Sequence, residues 1–323
     1  MRVLVTGGAG FIGLAVVRRL VARGDRVVAI VRDPERAEPL RDLAVELRTG
    51  DLSRTAAIVD AMRGTDTAIH LAGSYRVGIP ASERPSMLDA NVGATSRMLD
   101  AMSTAGLQRL VYISTANVFG NTKGRIVDER YRRDLSDGFL SYYDETKFLA
   151  HRAVEERMVA AAPIVIAMPG VTYGPRDHSG IGDQLRGAYR GSLGYLAMTE
   201  LGMSAVYVDD VAAGIVAALD RGRIGESYVL GGQNVRMLDA LKVAARLGGH
   251  GLPGLRLPTR LVRIGSHAPA WLARAAGLPD DLGEVLRAAD GVTYWASSAK
   301  AAAELGYAPR DLASGLRATF DGD

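Results

Sequence analysis

Residues 6–13 read Thr6-Gly7-Gly8-Ala9-Gly10-Phe11-Ile12-Gly13. The stretch follows an apolar run, Arg2–Thr6, that has the character of a strand, and it opens an apolar-periodic segment, Ile12–Arg23, that ends at Gly24. Gly8, Gly10 and Gly13 satisfy G-x-G-x-x-G, and Gly7, Gly10 and Gly13 satisfy G-x-x-G-x-x-G equally. Glycines here let the backbone turn tightly and approach a pyrophosphate, whose charge faces the free amides of a helix N-terminus. A plain glycine-rich turn is the alternative in a chain with 38 glycines. The place of the triad between the first strand and the first helix favours dinucleotide binding.

Outward from this turn, short apolar strands alternate with helical patterns. Arg26–Val31, Glu46–Arg48, Thr67–Leu71, Leu110–Ser114 and Ile164–Met168 read as strands, with helices over Ser86–Ala105 and Tyr142–Ala161. Near-continuous apolar strands between helices predict a parallel sheet covered on both faces. After Pro175 the pattern loosens. Ser204–Val208 and Ser227–Leu230 have strand character, and Val211–Asp220 and Leu238–Leu247 helical character. The expected division is a Rossmann domain over 1–175 and a smaller α+β substrate lobe over 176–323, from which segments can return to the first. The fold class is thus α/β, a doubly wound parallel sheet with a late lobe. The segment from His250 to Gly291 has no clear reading.

Composition narrows the function. Among 323 residues there is no cysteine, which excludes disulfides, thiolate catalysis and cysteine-bound metal. The histidines at 70, 151, 178, 250 and 267 lack metal-binding spacing. The net charge is only +3, with no basic run that would track nucleic acid. The longest uncharged run, between Arg157 and Arg176, is broken by Pro163 and Pro169, so no membrane span is expected. With no signal peptide visible, a cytoplasmic enzyme is the expectation.

The end of the second strand bears on the cofactor. Val31 is followed by Arg32, which suits a 2′-phosphate and favours NADP(H). Asp33 keeps NAD(H) open, because a one-residue shift brings a carboxylate to the ribose. Further on, Tyr143 and Lys147 form Y-x-x-x-K, four apart and therefore on one helix face. A buried ammonium beside the phenol is expected to lower its pKa and ready it for proton transfer. The strand upstream ends in two hydroxyls, Ser114 and Thr115, either of which can bond a substrate oxygen.

With these elements in order, the chain resembles the extended short-chain dehydrogenase/reductase family, also called the NAD-dependent epimerase/dehydratase family. Collinear matches support this: Gly50-Asp51-Leu52, His70-Leu71-Ala72-Gly73, Asn91-Val92-Gly93-Ala94-Thr95, Pro169-Gly170-Val171-Thr172-Tyr173-Gly174-Pro175, Val208-Asp209-Asp210-Val211-Ala212 and the tail at Ser297–Lys300. Val31–Pro34 looks like dihydroflavonol and cinnamoyl-CoA reductases. The resemblance implies Tyr143 as acid/base, Lys147 as its partner and ribose ligand, Thr115 as the catalytic hydroxyl and Asn91 as a supporting residue. It places Gly7, Gly10, Phe11, Ile12, Gly13, Arg32, Asp51, Leu52, Leu71, Ala72, Gly73, Ser114, Pro169, Gly170 and Val171 around the cofactor. It also implies a homodimer through the helices Ser86–Ala105 and Tyr142–Ala161. Phe119, Met168 and Tyr207 replace the tyrosine, arginine and histidine usual at their positions.

The expected reaction is NADP(H)-dependent reduction of a carbonyl on a small, ring-bearing or apolar substrate. Tyr75, Arg76, Tyr142, Tyr173, His178, Tyr195 and Met198 are the candidate substrate contacts. A nucleotide-sugar epimerase is the alternative, with Arg176, His178 and Arg186 available to a diphosphate. A dehydratase ranks third, since Asn117 stands where an extra acid is needed. A dinucleotide-sensing regulator is the non-enzyme reading.

Overall fold

A computed structural model of the chain describes residues 1–255 and 281–321. The glycine turn joins β1 (Arg2–Thr6) to α1 (Phe11–Ala22), and β2 (Arg26–Val31) follows. Next come a short α2 (Glu38–Arg41), β3 (Val45–Thr49), α3 (Thr55–Met62) and β4 (Thr67–His70). After α4 (Arg84–Leu88) and α5 (Ala94–Ala105) come β5 (Leu110–Ile113), α6 (Tyr142–Val159), β6 (Ile164–Pro169) and β7 (Val171–Tyr173). The later elements are α7 (Gly180–Tyr189), β8 (Gly202–Tyr207), α8 (Val208–Arg221), β9 (Ser227–Leu230), β10 (Gln233–Arg236) and α9 (Met237–Leu247). Beyond these lie the helix Leu282–Ala289, β11 (Thr293–Tyr294) and the helices Ala299–Leu305 and Leu312–Phe320.

The large sheet has seven parallel strands in the order β3-β2-β1-β4-β5-β6-β9. Its apolar strands are buried on both faces because side chains alternate between two cores. Val3, Val5, Val27, Ala29, Ile69, Val111 and Val165 face α1 and α8. Leu4, Val28, Ala68, Leu110, Tyr112, Ile164 and Ile166 face α3, α5 and α6. The chain order reverses at β1, so the C-terminal ends of β1 and β4 open a crevice. Ligands of doubly wound sheets bind at such a switch point.

A smaller sheet is built around β8, with β10 antiparallel on one edge and β7 and β11 parallel along the other. Its core includes Leu185, Met203, Leu241, Leu316 and Phe320. Two segments after residue 175 lie with the large sheet. Ser227–Leu230 is not a strand of the late lobe but the last strand of the large sheet, and Val208–Arg221 packs on α1. Tyr228, Val229 and Leu230 are fully buried, which suits a strand covered on both faces.

The helix expected over Ser86–Ala105 is interrupted by a π-type turn at Asp89–Gly93. The extra residue in that turn brings Asn91 inward, and α5 then runs to a left-handed Gly106. Among the described residues, no helix is long and apolar enough to cross a membrane and no cluster suits a metal ion.

Candidate active site

The glycine cradle is built by close backbone approach. Gly7 adopts a left-handed conformation, and a Cβ there would lie 2.7 Å from the Ala72 nitrogen, so β1 and the loop after β4 touch. A Cβ on Gly13 would lie 2.0 Å from the Gly7 carbonyl oxygen. The first turn of α1 holds no acidic residue and no side-chain cap, which leaves its amides to an anion. These features fit a dinucleotide pyrophosphate. Phe11 and Ile12 pack against the core of the late lobe, so the cradle is tied to both sheets.

The other predicted cofactor contacts surround this crevice. Arg32, Asp51 and Leu52 stand after β2 and β3, Leu71, Ala72 and Gly73 after β4, and Pro169, Gly170 and Val171 at the junction of β6 and β7. The Asp51 carboxyl is held below its ordinary value, chiefly by the Ser53 amide and then by Arg32 and Arg54 nearby. Arg54 had no signal in the sequence. The Asp33 carboxylate accepts from the Glu35 amide at 2.9 Å, capping the turn that follows β2.

Thr6 and His70, at the ends of β1 and β4, are joined at 2.7 Å, and His70 reaches Thr95 of α5 at 3.3 Å. Burial, and then the charge of Lys147, push the His70 imidazole down to about 3, so it is a neutral strut. Asn91 accepts from the Ser74 amide at 2.7 Å and donates to the Ser74 carbonyl at 3.1 Å and to Thr146 at 2.9 Å. It therefore fastens the loop after β4 to α6.

Tyr143 and Lys147 occupy the first turns of α6. The helix begins at Ser141, whose hydroxyl accepts from the Asp144 amide at 3.0 Å. Arg133 clamps this end, at 2.7 Å from Asp144 with both side chains nearly inaccessible, and lies over Phe139 and Phe148. Tyr143 is 8% exposed, within an apolar group of Ile79, Met87, Val77 and Tyr142, and Tyr75 meets its ring edge-on at 4.8 Å. Burial raises the phenol well above its ordinary value, and the nearby Thr115 hydroxyl offsets this only in part.

Lys147 is not among the main causes of this shift. The Lys147 ammonium bonds the Ile113 carbonyl at 3.1 Å and lies 5.3 Å from the centre of the Tyr112 ring. Burial lowers Lys147 itself to about 8. Desolvation therefore outweighs charge stabilisation for both groups.

The two hydroxyls after β5 separate clearly. Ser114 is bonded to His151 at 2.9 Å, and His151 lies 3.5 Å from Glu155, so Ser114 is tied into α6. Thr115 faces the phenol and caps the following turn by accepting from Asn117 at 3.2 Å.

The candidate substrate residues divide as well. Tyr75 and Tyr142 lie beside Tyr143. Arg76 is exposed and paired with Glu83, His178 is exposed after β7, and Tyr195 is half exposed. Tyr173 and Met198 pack in the late lobe instead, Tyr173 reaching the Leu312 carbonyl at 3.4 Å. Arg186 donates to the Asp177 carbonyl and pairs with Asp183. Val77, Ile79 and Met87 line the phenol but had no motif to mark them.

Comparison with known proteins agrees with this arrangement. The model of the NAD dependent epimerase/dehydratase family matches residues 3–231. The chain is 30% identical over 266 residues to sterol demethylase protein B of Methylococcus capsulatus, covering 81% of this chain and 79% of that protein. It is 29% identical over 313 residues to a putative dihydroflavonol 4-reductase of Synechocystis sp., covering 94% and 88%. It superposes on the crystal structure of gox2253 with a TM-score of 0.84 at 31% identity, covering 99% and 96%. The phosphate cradle, the switch point and the Thr–Tyr–Lys geometry thus have a common explanation: the chain belongs to the NAD-dependent epimerase/dehydratase family and is an oxidoreductase of the extended short-chain dehydrogenase/reductase type.

Proposed function

We propose that the protein is an NADP(H)-dependent reductase of a carbonyl on a small apolar or ring-bearing molecule. The observation that carries this reading is the apolar surround of Tyr143, which suits an apolar or ring-bearing substrate. Buried under Ile79, Met87 and Tyr142, with Tyr75 against its ring, the phenol is held neutral. Carbonyl reduction consumes a proton, and the neutral phenol carries one on the hydroxyl that faces Thr115. Bound, the dinucleotide supplies the hydride. Tyr143 donates its proton to the carbonyl oxygen, and Thr115 bonds the same oxygen from the end of β5. Lys147 holds the ribose side of the site, and the apolar group keeps water from the phenol.

Arg32 supports the phosphorylated cofactor, and the engagement of Asp33 with the Glu35 amide weakens the case for a ribose carboxylate. The name of the Synechocystis relative, a putative dihydroflavonol 4-reductase, points to a ring-bearing ketone. A nucleotide-sugar epimerase draws on Arg176 and His178, exposed after β7, while Arg186 is already engaged. The homodimer through α5 and α6 forms part of this proposal, and sedimentation equilibrium tests it.

The deciding experiment is mass spectrometry for a retained nicotinamide, then titration with NADPH, NADH, NADP⁺ and NAD⁺ and a panel of aromatic and alicyclic ketones. Exchangeable NADPH and ketone turnover that falls about 10²–10⁴-fold in Tyr143→Phe are expected. Tightly retained NAD⁺, with turnover of nucleotide sugars alone, would overturn the reading.

A further inference from the structure

Glu284 is 1% exposed, yet it lies in a short helix of the late lobe, Leu282–Ala289, far in sequence from the catalytic residues. Its Oε1 accepts from the Tyr142 amide at 3.0 Å and from the Gly78 amide at 3.3 Å. Those two amides belong to different parts of the site. Tyr142 is the first residue of α6, and Tyr143 follows it. Gly78 lies in the loop from which Tyr75 meets Tyr143. One carboxylate oxygen thus joins the helix that carries the phenol to the loop that covers it.

The seat is built from both sides. The Asp281 side chain caps the Leu282–Ala289 helix by accepting from the Glu284 amide at 2.8 Å, and the Asp281 amide donates to the Gly78 carbonyl at 3.1 Å. Arg84 brings its guanidinium within 3.7 Å of Glu284 and 3.8 Å of Asp281, and lies 5.2 Å from the centre of the Tyr142 ring. A buried carboxylate is tolerated only where donors and charge compensate it. Here two amides, the N-terminal end of the α6 dipole and Arg84 do so.

We propose that Glu284 is a positioning residue for the catalytic tyrosine. Through the Tyr142 and Gly78 amides it sets the angle between the first turn of α6 and the Tyr75 loop, and so the place of the Tyr143 hydroxyl against Thr115. The late lobe then completes the acid site as well as the substrate cleft. The proposal rests on the reading of Tyr143 as proton donor.

The test uses the full chain with Glu284→Gln, which keeps an acceptor oxygen, and Glu284→Ala, which removes it. Hydrogen exchange is read on peptides spanning 74–80 and 140–147, and turnover with NADPH and the best ketone of the panel. The Ala variant is expected to exchange the Gly78 and Tyr142 amides at least about tenfold faster. Its kcat should fall roughly ten- to a hundredfold while the KM for NADPH stays within about twofold. Gln should retain protection and lose less than about threefold in kcat. In a Tyr143→Phe background, Glu284→Ala should add less than about threefold.

Unchanged protection in the Ala variant, or an equal kcat loss with and without Tyr143, overturns the proposal. If Ala does not fold, Gln decides: lost protection or a changed KM for NADPH overturns it, and retained protection and kcat support it. If Tyr143→Phe alone keeps full activity, the reading of Tyr143 falls, and the exchange data still report whether Glu284 holds the two amides.

Discussion

Replacing Lys147 with methionine should make the protein more stable while removing its activity. The ammonium lies inside the site, 3.1 Å from the Ile113 carbonyl, and burial draws its pKa from 10.5 to about 8. At about 1.36 kcal/mol per pKa unit, holding that charge at pH 7 costs the folded state about 3 kcal/mol. Methionine keeps most of the stem and removes the charge. The lost bond to Ile113 returns about 1 kcal/mol of that. The net gain is about 2 kcal/mol, which for a chain of this size raises Tm by roughly 3 °C.

The pH dependence gives the argument its signature. A base whose folded pKa is depressed has its stability term in full above the unfolded value and loses it as pH falls through the folded one. The wild type should therefore gain on the Lys147→Met variant as pH climbs from about 8 to 10.5. Thermal unfolding of cofactor-stripped protein, followed by circular dichroism from pH 7 to pH 10, measures both effects. A variant no more stable than wild type at pH 7, or a gap that stays flat to pH 10, would show that the buried ammonium carries no such cost.

Four further outcomes are expected. Gly13→Ala, whose Cβ would sit 2.0 Å from the Gly7 carbonyl oxygen, should weaken NADPH binding at least about tenfold by fluorescence titration, and an unchanged Kd would remove the cradle from the argument. Arg133→Met leaves the Asp144 charge buried without its partner and should lower unfolding free energy by about 3–5 kcal/mol in urea; a loss under about 1 kcal/mol would show that water reaches the pair. Arg32→Ala should weaken NADPH by about tenfold and leave NADH unchanged in calorimetric titrations, whereas equal losses for both would assign Arg32 to adenine alone. The Glu155 carboxyl is held at about 2, first by His151, so its stability term is full above about 4.5 and is lost as pH falls toward 2. Glu155→Gln should flatten that acid limb, and an unaltered acid unfolding profile would count against the His151 contact.

Much of the site was legible because its parts are local. The glycine turn needs only a strand, close-spaced glycines and a helix, all within residues 2–22. Tyr143 and Lys147 share a face because the α-helix repeats every 3.6 residues. What escaped was set by distant partners. The choice between Ser114 and Thr115 depends on His151 filling one side of the strand end. Tyr173, in the loop that resembles a ligand contact, turns into the late lobe because Leu312 and Gly315 lie against its hydroxyl. Asn91 reaches its partners through a π-type turn that no periodicity in Ser86–Ala105 announced.

Strand and helix order, the glycine turn and the Tyr143–Lys147 spacing were readable from the amino-acid sequence, since each follows from the pitch of a strand or helix and the freedom of a glycine. Long-range packing is what returns Ser227–Leu230 to the large sheet, joins Tyr142 to Gly78 through Glu284, and buries Tyr143 among Ile79, Met87 and Tyr142. Desolvation and long-range contact belong to the surroundings of a side chain, and those surroundings come from parts of the chain as far apart as residues 78 and 284.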